Sequence, residues 1–261
     1  WLKDPNLVNG PISIATIVKS SLCFFQTCSK FGISALQAGQ SPAQKLRITG
    51  LPWSKICFKE VSFSYNNSQK KILDNISFNI NLGDRIGIVG ESGCGKSTLG
   101  LSILRLIESP GRIVDGKLLF ENGDILKYTD AKLRKARGGK IAMIFQDPKA
   151  SLNPVLTIGD QIAEAISLHQ STTKKESLQK TNEILREVGI PDTEKRAKEY
   201  PFEFSGGMRQ RAMIALALSM QPKLLIADEP TTNLDVTTQA QILVLMLSLI
   251  HIWRCRRIER C

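Results

Sequence analysis

The chain is poor in the residues that metal centres and disulfide frameworks need. Histidine occurs twice, at His169 and His251, and the six cysteines (Cys23, Cys28, Cys57, Cys94, Cys255 and Cys261) form no Cys-x-x-Cys pair. That excludes the common zinc modules. Only Cys57 and Cys94 lie in the central region, which suits a reducing cytoplasm better than a disulfide scaffold. Long apolar runs are also missing: the stretch after Lys19 meets Lys30, well short of the roughly 20 residues a bilayer requires. A basic-then-apolar signal segment is lacking, and the opening on Trp1 rather than Met reads as a fragment. Acids are outnumbered, 24 against 35 Lys and Arg, for a formal charge of +11. Much of that excess is terminal. Lys3, Lys19, Lys30, Lys45 and Arg47 face only Asp4, and Arg254, Arg256, Arg257 and Arg260 face only Glu259. The middle is mildly basic, so no nucleic-acid partner is expected. With 42% hydrophobic residues the chain is not disordered as a whole.

Residues 1–50 mix short apolar runs with Gly, Ser, Pro and Gln and show no firm periodicity, so they read as a leader of uncertain structure. Order begins near Ile56. Ile56 and Phe58, then Val61, Phe63 and Tyr65, predict a strand whose alternation breaks once, and Ile76, Phe78 and Ile80 predict another. Turns are expected at Asn66-Asn67-Ser68 and Leu82-Gly83-Asp84. Arg85 to Val89, Lys140 to Phe145 and Lys223 to Ala227 read as buried strands, with helices from Ser97 to Leu106, Gly207 to Met220 and Val236 to Leu247. The region from Asp147 to Gln221 reads as mostly helical, with a Thr173/Glu176 capping box at one start and Gly189 and Pro191 at its close. Alternating strands and helices predict a parallel α/β core. The helical stretch inserted before the last strand is a second, smaller subdomain.

Gly90-Glu91-Ser92-Gly93-Cys94-Gly95-Lys96-Ser97 matches Gly-x4-Gly-Lys-Ser/Thr in full. Glycines let successive backbone N–H groups turn inward around phosphate oxygens, and a helix starting there adds its positive end. Lys96 suits the terminal phosphates and the Ser97 hydroxyl a Mg²⁺ ion. The motif points to a nucleoside triphosphate, not to one class of enzyme. Leu224-Leu225-Ile226-Ala227 ends in Asp228 and Glu229. The first acid suits Mg²⁺ and the second suits a water nucleophile; a strand ending in solvated acids is the plainer alternative. Phe204-Ser205-Gly206-Gly207-Met208-Arg209-Gln210-Arg211 opens a helix with a hydroxyl and two glycines, which presents N–H groups to an anion.

In combination these motifs resemble the ABC ATPase family, over about residues 55–247. Its signature LSGGQ stands here as FSGGM, and Thr232-Asn233-Leu234-Asp235 resembles the D-loop, with Asn233 where Ala is commoner. The resemblance implies a P-loop NTPase core of RecA-like parallel strands, with antiparallel strands toward the N-terminus and a helical subdomain spanning about 147–221. It implies ATP and Mg²⁺ as cofactors. Tyr65 would stack on adenine, with a sheet-surface tyrosine as the lesser alternative. Gly90, Ser92, Gly93, Cys94, Gly95, Lys96, Ser97 and Thr98 would form the Walker A loop. Gln146 would be the Q-loop glutamine, touching Mg²⁺ and the transmembrane partner. Asp228 would serve the metal and Glu229 catalysis, with Lys96 and Gln146 assisting. Ser205, Gly206, Gly207 and Asp235 would reach the nucleotide across a head-to-tail pair of ATPase domains. The run Phe145 to Ile162, followed by SGGMRQRAMIA, resembles the subfamily serving peptide, dipeptide and nickel importers. That implies transmembrane permease subunits, an extracytoplasmic solute-binding protein and a peripheral place on the cytoplasmic membrane face.

Two features depart from the family. Its switch histidine belongs at or past the end of this chain, and His251 comes too early to take that role. The segment 248–261 is foreign to the family and resembles translated adapter sequence, so it reads as a non-native tail. An ATPase of export or other type, or a module that binds ATP without turnover, remain alternative readings.

Overall fold

The computed structural model describes residues 13–19, 34–37, 54–65, 71–81, 84–90, 93–121, 123–170, 172–231 and 234–258. They fall into two compact units, one of residues 13–137 and one dominated by residues 138–258.

In the first unit, strand β1 (Ser13–Lys19) and strand β2 (Ser34–Gln37) both pair in parallel with β5 (Arg85–Gly90), one on each side. Ile17 lies opposite Ile88 on one edge and Leu36 lies opposite Ile88 on the other. Residues 1–50 read from sequence as a leader of uncertain structure, and these two segments of it form strands. Ser-Ile-Ala-Thr-Ile-Val-Lys is rich in β-branched residues but does not alternate, so period gives no signal.

A separate antiparallel sheet runs in the order β4-β3-β6-β7. Its strands are β3 (Ser54–Tyr65), β4 (Lys71–Asn81), β6 (Gly111–Phe120) and β7 (Gly123–Asp124). The break in alternation after Phe58 is a β-bulge. Glu60 takes a φ of 54° and the register shifts between Phe58 and Val61. The extra residue keeps Ile56, Phe58, Val61 and Phe63 all on the buried face. Gly116 of β6 crosses this bulge so closely that a Cβ there would stand 2.6 Å from Val61 Cα. Phe58 stacks on Phe78 with ring centroids 4.2 Å apart. Between β5 and β6 lies helix α1 (Lys96–Leu104), and helix α2 (Asp130–Ala136) follows β7 and a short 3-10 turn. The turn expected at Asn66–Ser68 lies outside the described residues. At the other turn, Asn81 N–H donates to the Asp84 carboxylate at 2.7 Å.

The second unit holds two parallel strands, β8 (Ile141–Ile144) and β9 (Leu224–Asp228), in register Ile144 to Ala227. Every residue of both strands is buried, so their sequences are continuous apolar runs. Between them run α3 (Pro148–Ser151), α4 (Ile158–His169), α5 (Lys174–Glu187), α6 (Thr193–Arg196) and α7 (Gly206–Leu218). The capping box is present: Thr173 N–H donates to Glu176 at 2.8 Å and Glu176 N–H to Thr173 Oγ1 at 3.3 Å. Gly189 has a φ of 75° just past α5, the conformation a helix stop demands. Helix α8 (Val236–Ile258) outruns the expected end at Leu247. The added residues include no Gly or Pro, so nothing local stops the helix, whatever the origin of that segment. No helix among the described residues is long and apolar enough to cross a membrane.

Candidate functional site

The Gly-x4-Gly-Lys-Ser loop joins β5 to α1 within the first unit. Gly90 ends the strand, and Glu91 and Ser92 lie outside the described residues. Gly93 and Gly95 take φ values of 84° and 94°, the left-handed region that L side chains rarely enter. Gly95 is also the residue before α1, and no side chain caps the helix there. The first-turn N–H groups are therefore not used by a capping side chain, as an anion cradle requires. Lys96 is 6% exposed and its ammonium lies 3.8 Å from Cys94 Sγ. Ser97 is exposed and Thr98 half-buried at the same turn.

The far end of α1 is anchored by arginines. Arg105 closes the helix with a φ of 50°, and the Arg137 guanidinium donates to the carbonyls of Leu104 and Arg105, each at 2.9 Å. A cation on those terminal carbonyls complements the helix dipole. Burial, and then the Arg105 charge, pull Arg137 below the usual arginine value. Sequence reading missed this pair, because the two arginines are far apart in the chain. Tyr65 ends β3, 44% exposed, with its ring edge-on to Phe63 at 5.0 Å.

In the second unit the β8–β9 register sets Gln146 beside the end of β9. Asp228 is 6% exposed. Glu229 turns out of the strand with a φ of 43°. The Gln146 amide donates to the Glu229 carboxylate at 2.9 Å, so two of the expected residues meet directly.

Ser205 caps α7, accepting from Met208 N–H at 3.3 Å, and Gly206 and Gly207 form the first turn. A Cβ at Gly207 would stand 3.1 Å from Thr238 Cγ2, and one at Gly206 3.8 Å from Leu234 Cδ2. The signature turn thus packs against the segment before and at the start of α8. Asp235 caps that helix, accepting from Thr238 N–H at 2.9 Å. Hydrogen bonds from the Thr238 side chain and backbone hold its carboxyl below the usual aspartate value. Thr232 and Asn233 lie outside the described residues. Sequence reading also left Gln210 without a role. It is 1% exposed, and its amide donates to the Pro230 carbonyl. The available signal was an amide among Ala212, Met213 and Ile214 in an otherwise apolar helix.

Among the described residues, no group of three or more His, Cys, Asp or Glu side chains could cage a metal. Mg²⁺ does not need such a cage, since it is usually held by one or two carboxylates together with substrate phosphates.

Residues 73–232 match the family model described as ABC transporter. The chain is 51% identical over 191 residues to the "Probable peptide ABC transporter ATP-binding protein y4tR" of Sinorhizobium fredii, covering 73% of this chain and 57% of that protein. It is 51% identical over 193 residues to the dipeptide transport ATP-binding protein DppD of Haemophilus influenzae, covering 73% and 58%. The chain thus spans a little over half the length of the curated relatives it matches. Among solved structures, the dimeric ATP-binding cassette MJ0796 in a post-hydrolysis state with ADP and Pi matches with a TM-score of 0.66 at 29% identity, covering 75% of this chain and 82% of that one.

Proposed function

Because this chain belongs to the ABC transporter family, we propose that it is the ATP-binding and ATP-hydrolysing part of a subunit that drives uptake of peptides or a similar small solute. The observation that carries the solute class is the identity, about one residue in two, to peptide and dipeptide transport ATP-binding proteins. The subunit works against a second ATPase domain and beneath permease subunits on the cytoplasmic membrane face, with a solute-binding protein upstream.

In this reading the loop N–H groups from Gly93 onward, the α1 N-terminus and Lys96 grip the ATP phosphates, and Tyr65 offers its face to the adenine. By the family resemblance, Ser97, Asp228 and Gln146 would hold Mg²⁺, which would offset charge on the ATP phosphates. Glu229 orients the attacking water and takes its proton. The helix start at Ser205, Gly206 and Gly207 donates to the γ-phosphate bound by the other ATPase domain, where fixed donors stabilise the charge of the transition state.

ATP binding and phosphate release, measured side by side, test the reading. Lys96→Ala is expected to lower ATP affinity by about 10-fold or more, one to two kcal/mol of lost charge-assisted contact. Glu229→Gln is expected to bind ATP normally and to release phosphate about 100-fold more slowly. Binding without release by the unmodified chain would make it a non-hydrolysing module. Absence of binding in a folded sample would sink the proposal.

A further inference from the structure

Glu229 sits in a backbone conformation it would not choose. A φ of 43° is uncommon for a non-glycine residue and persists only where the surroundings hold it. Two glutamine amides bond to this turn. Gln146 donates to its carboxylate, and Gln210 donates to the carbonyl of Pro230, the next residue in the chain.

Gln210 is the less expected of the two. It lies on α7 in the turn after Gly206 and Gly207 and is essentially buried. A buried amide is retained where it is hydrogen-bonded, and a leucine would fill the same space without that requirement. The same helix is fastened elsewhere as well. Arg211 donates to the Val188 carbonyl at 2.6 Å, Arg209 to the Pro201 carbonyl at 2.8 Å, and Gly206 packs near Leu234. The Leu234 carbonyl in turn accepts from Gln239 at 2.9 Å. The Gln210 bond is a direct hydrogen-bonded link from this helix to the turn that carries Glu229.

We propose that Gln210 is a positioning residue for Glu229: it ties the helix opened by Ser205-Gly206-Gly207 to the turn that aims the carboxylate. A displacement of that helix, as an anion or partner engages its first turn, is thereby passed to Glu229 within one chain. The catalytic side of this inference rests on the ATPase reading above; its geometric side does not.

The test compares the full chain with Gln210→Leu, which removes the donor, and Gln210→Met, which keeps the unbranched length but has no donor. Amide hydrogen exchange reads the turn directly and needs no turnover. Both variants are expected to speed exchange of the amides in 229–235 by about 10-fold or more while the amides of 96–104 stay as in the parent. Phosphate release is expected to lose about 10- to 100-fold in kcat, with the KM for ATP within about twofold of the parent. Parent-like exchange at 229–235 in both variants overturns the proposal. So does faster exchange spread evenly across the chain with a matching fall in melting temperature, since that marks a merely structural glutamine. If the parent itself releases no phosphate, the ATPase reading fails, and the exchange data still decide for or against Gln210.

Discussion

Gly93 and Gly95 lie two residues apart, share a left-handed backbone, and should not respond alike to a methyl group. A Cβ at Gly93 meets nothing within 4 Å. A Cβ at Gly95 would stand 2.9 Å from Ile72 Cγ2 and 3.1 Å from Leu73 Cδ2, both on β4. Gly93→Ala therefore carries only the conformational cost of about 1–2 kcal/mol. Gly95→Ala adds overpacking, for about 2–4 kcal/mol in all. It also displaces the start of α1, so ATP affinity is expected to fall at least about tenfold, against a smaller loss for Gly93→Ala. Urea denaturation and nucleotide titration of both variants check this ranking, and equal effects would refute it. At this scale the strand-to-helix turn with glycine at positions 93 and 95 was legible because the Gly-x4-Gly-Lys-Ser motif fixes residue types at fixed spacings. Glu229 was legible from its place at the end of an apolar strand. Gln210 was not, because a glutamine on a helix declares a role only once its neighbours are known. Nor was the pair Arg105 and Arg137, whose meeting depends on how the chain returns to the end of α1.

Local rules that compete with nothing were readable at the level of elements. The Thr173 and Glu176 side chains close the start of α5 as their spacing requires, and Thr173→Ala should cost about 1 kcal/mol. The same cap gives a pH signature. Hydrogen bonds from the Thr173 backbone, then from its hydroxyl, hold the Glu176 carboxyl below the usual glutamate value. A group whose folded pKa is depressed stabilises the fold above its unfolded pKa and loses that contribution as pH falls through the folded one. Glu176→Gln should thus differ from the parent near neutral pH and converge with it as pH falls below the glutamate range. A gap between the two urea midpoints that persists at the acid end would contradict this. The bulge in β3 was half legible. The break between Phe58 and Val61 is visible in the residues, but that Glu60 absorbs it requires seeing Gly116 cross there. Helix α8 was underestimated for the opposite reason: its end was set by a change in sequence character rather than by any residue that stops a helix.

For the molecule as a whole, the least legible feature was what flanks the strand that carries the phosphate loop. Both parallel neighbours of β5 come from residues 13–37, a stretch that looked like a leader. Alternation marks a strand with one face exposed; the short β-branched run of β1 does not alternate and is indistinguishable in period from any apolar segment. The pairing gives the leader a stated physical job. It satisfies the backbone of β5 along both edges, so the loop at the end of β5 starts from a fixed strand rather than from an exposed edge. Thr16→Pro and Ile17→Pro test this together. Successive N–H groups along a strand point to opposite edges, so one of the two prolines removes a donor aimed at β5, and the ring crowds the ladder in either case. A loss of about 3 kcal/mol is expected from at least one of them, with a lower melting temperature and weaker ATP binding. Val155→Ala, at a position 75% exposed, is the matched control and should shift stability by less than about 0.5 kcal/mol. Should both proline variants melt and bind ATP like the parent, residues 13–19 do not complete the sheet.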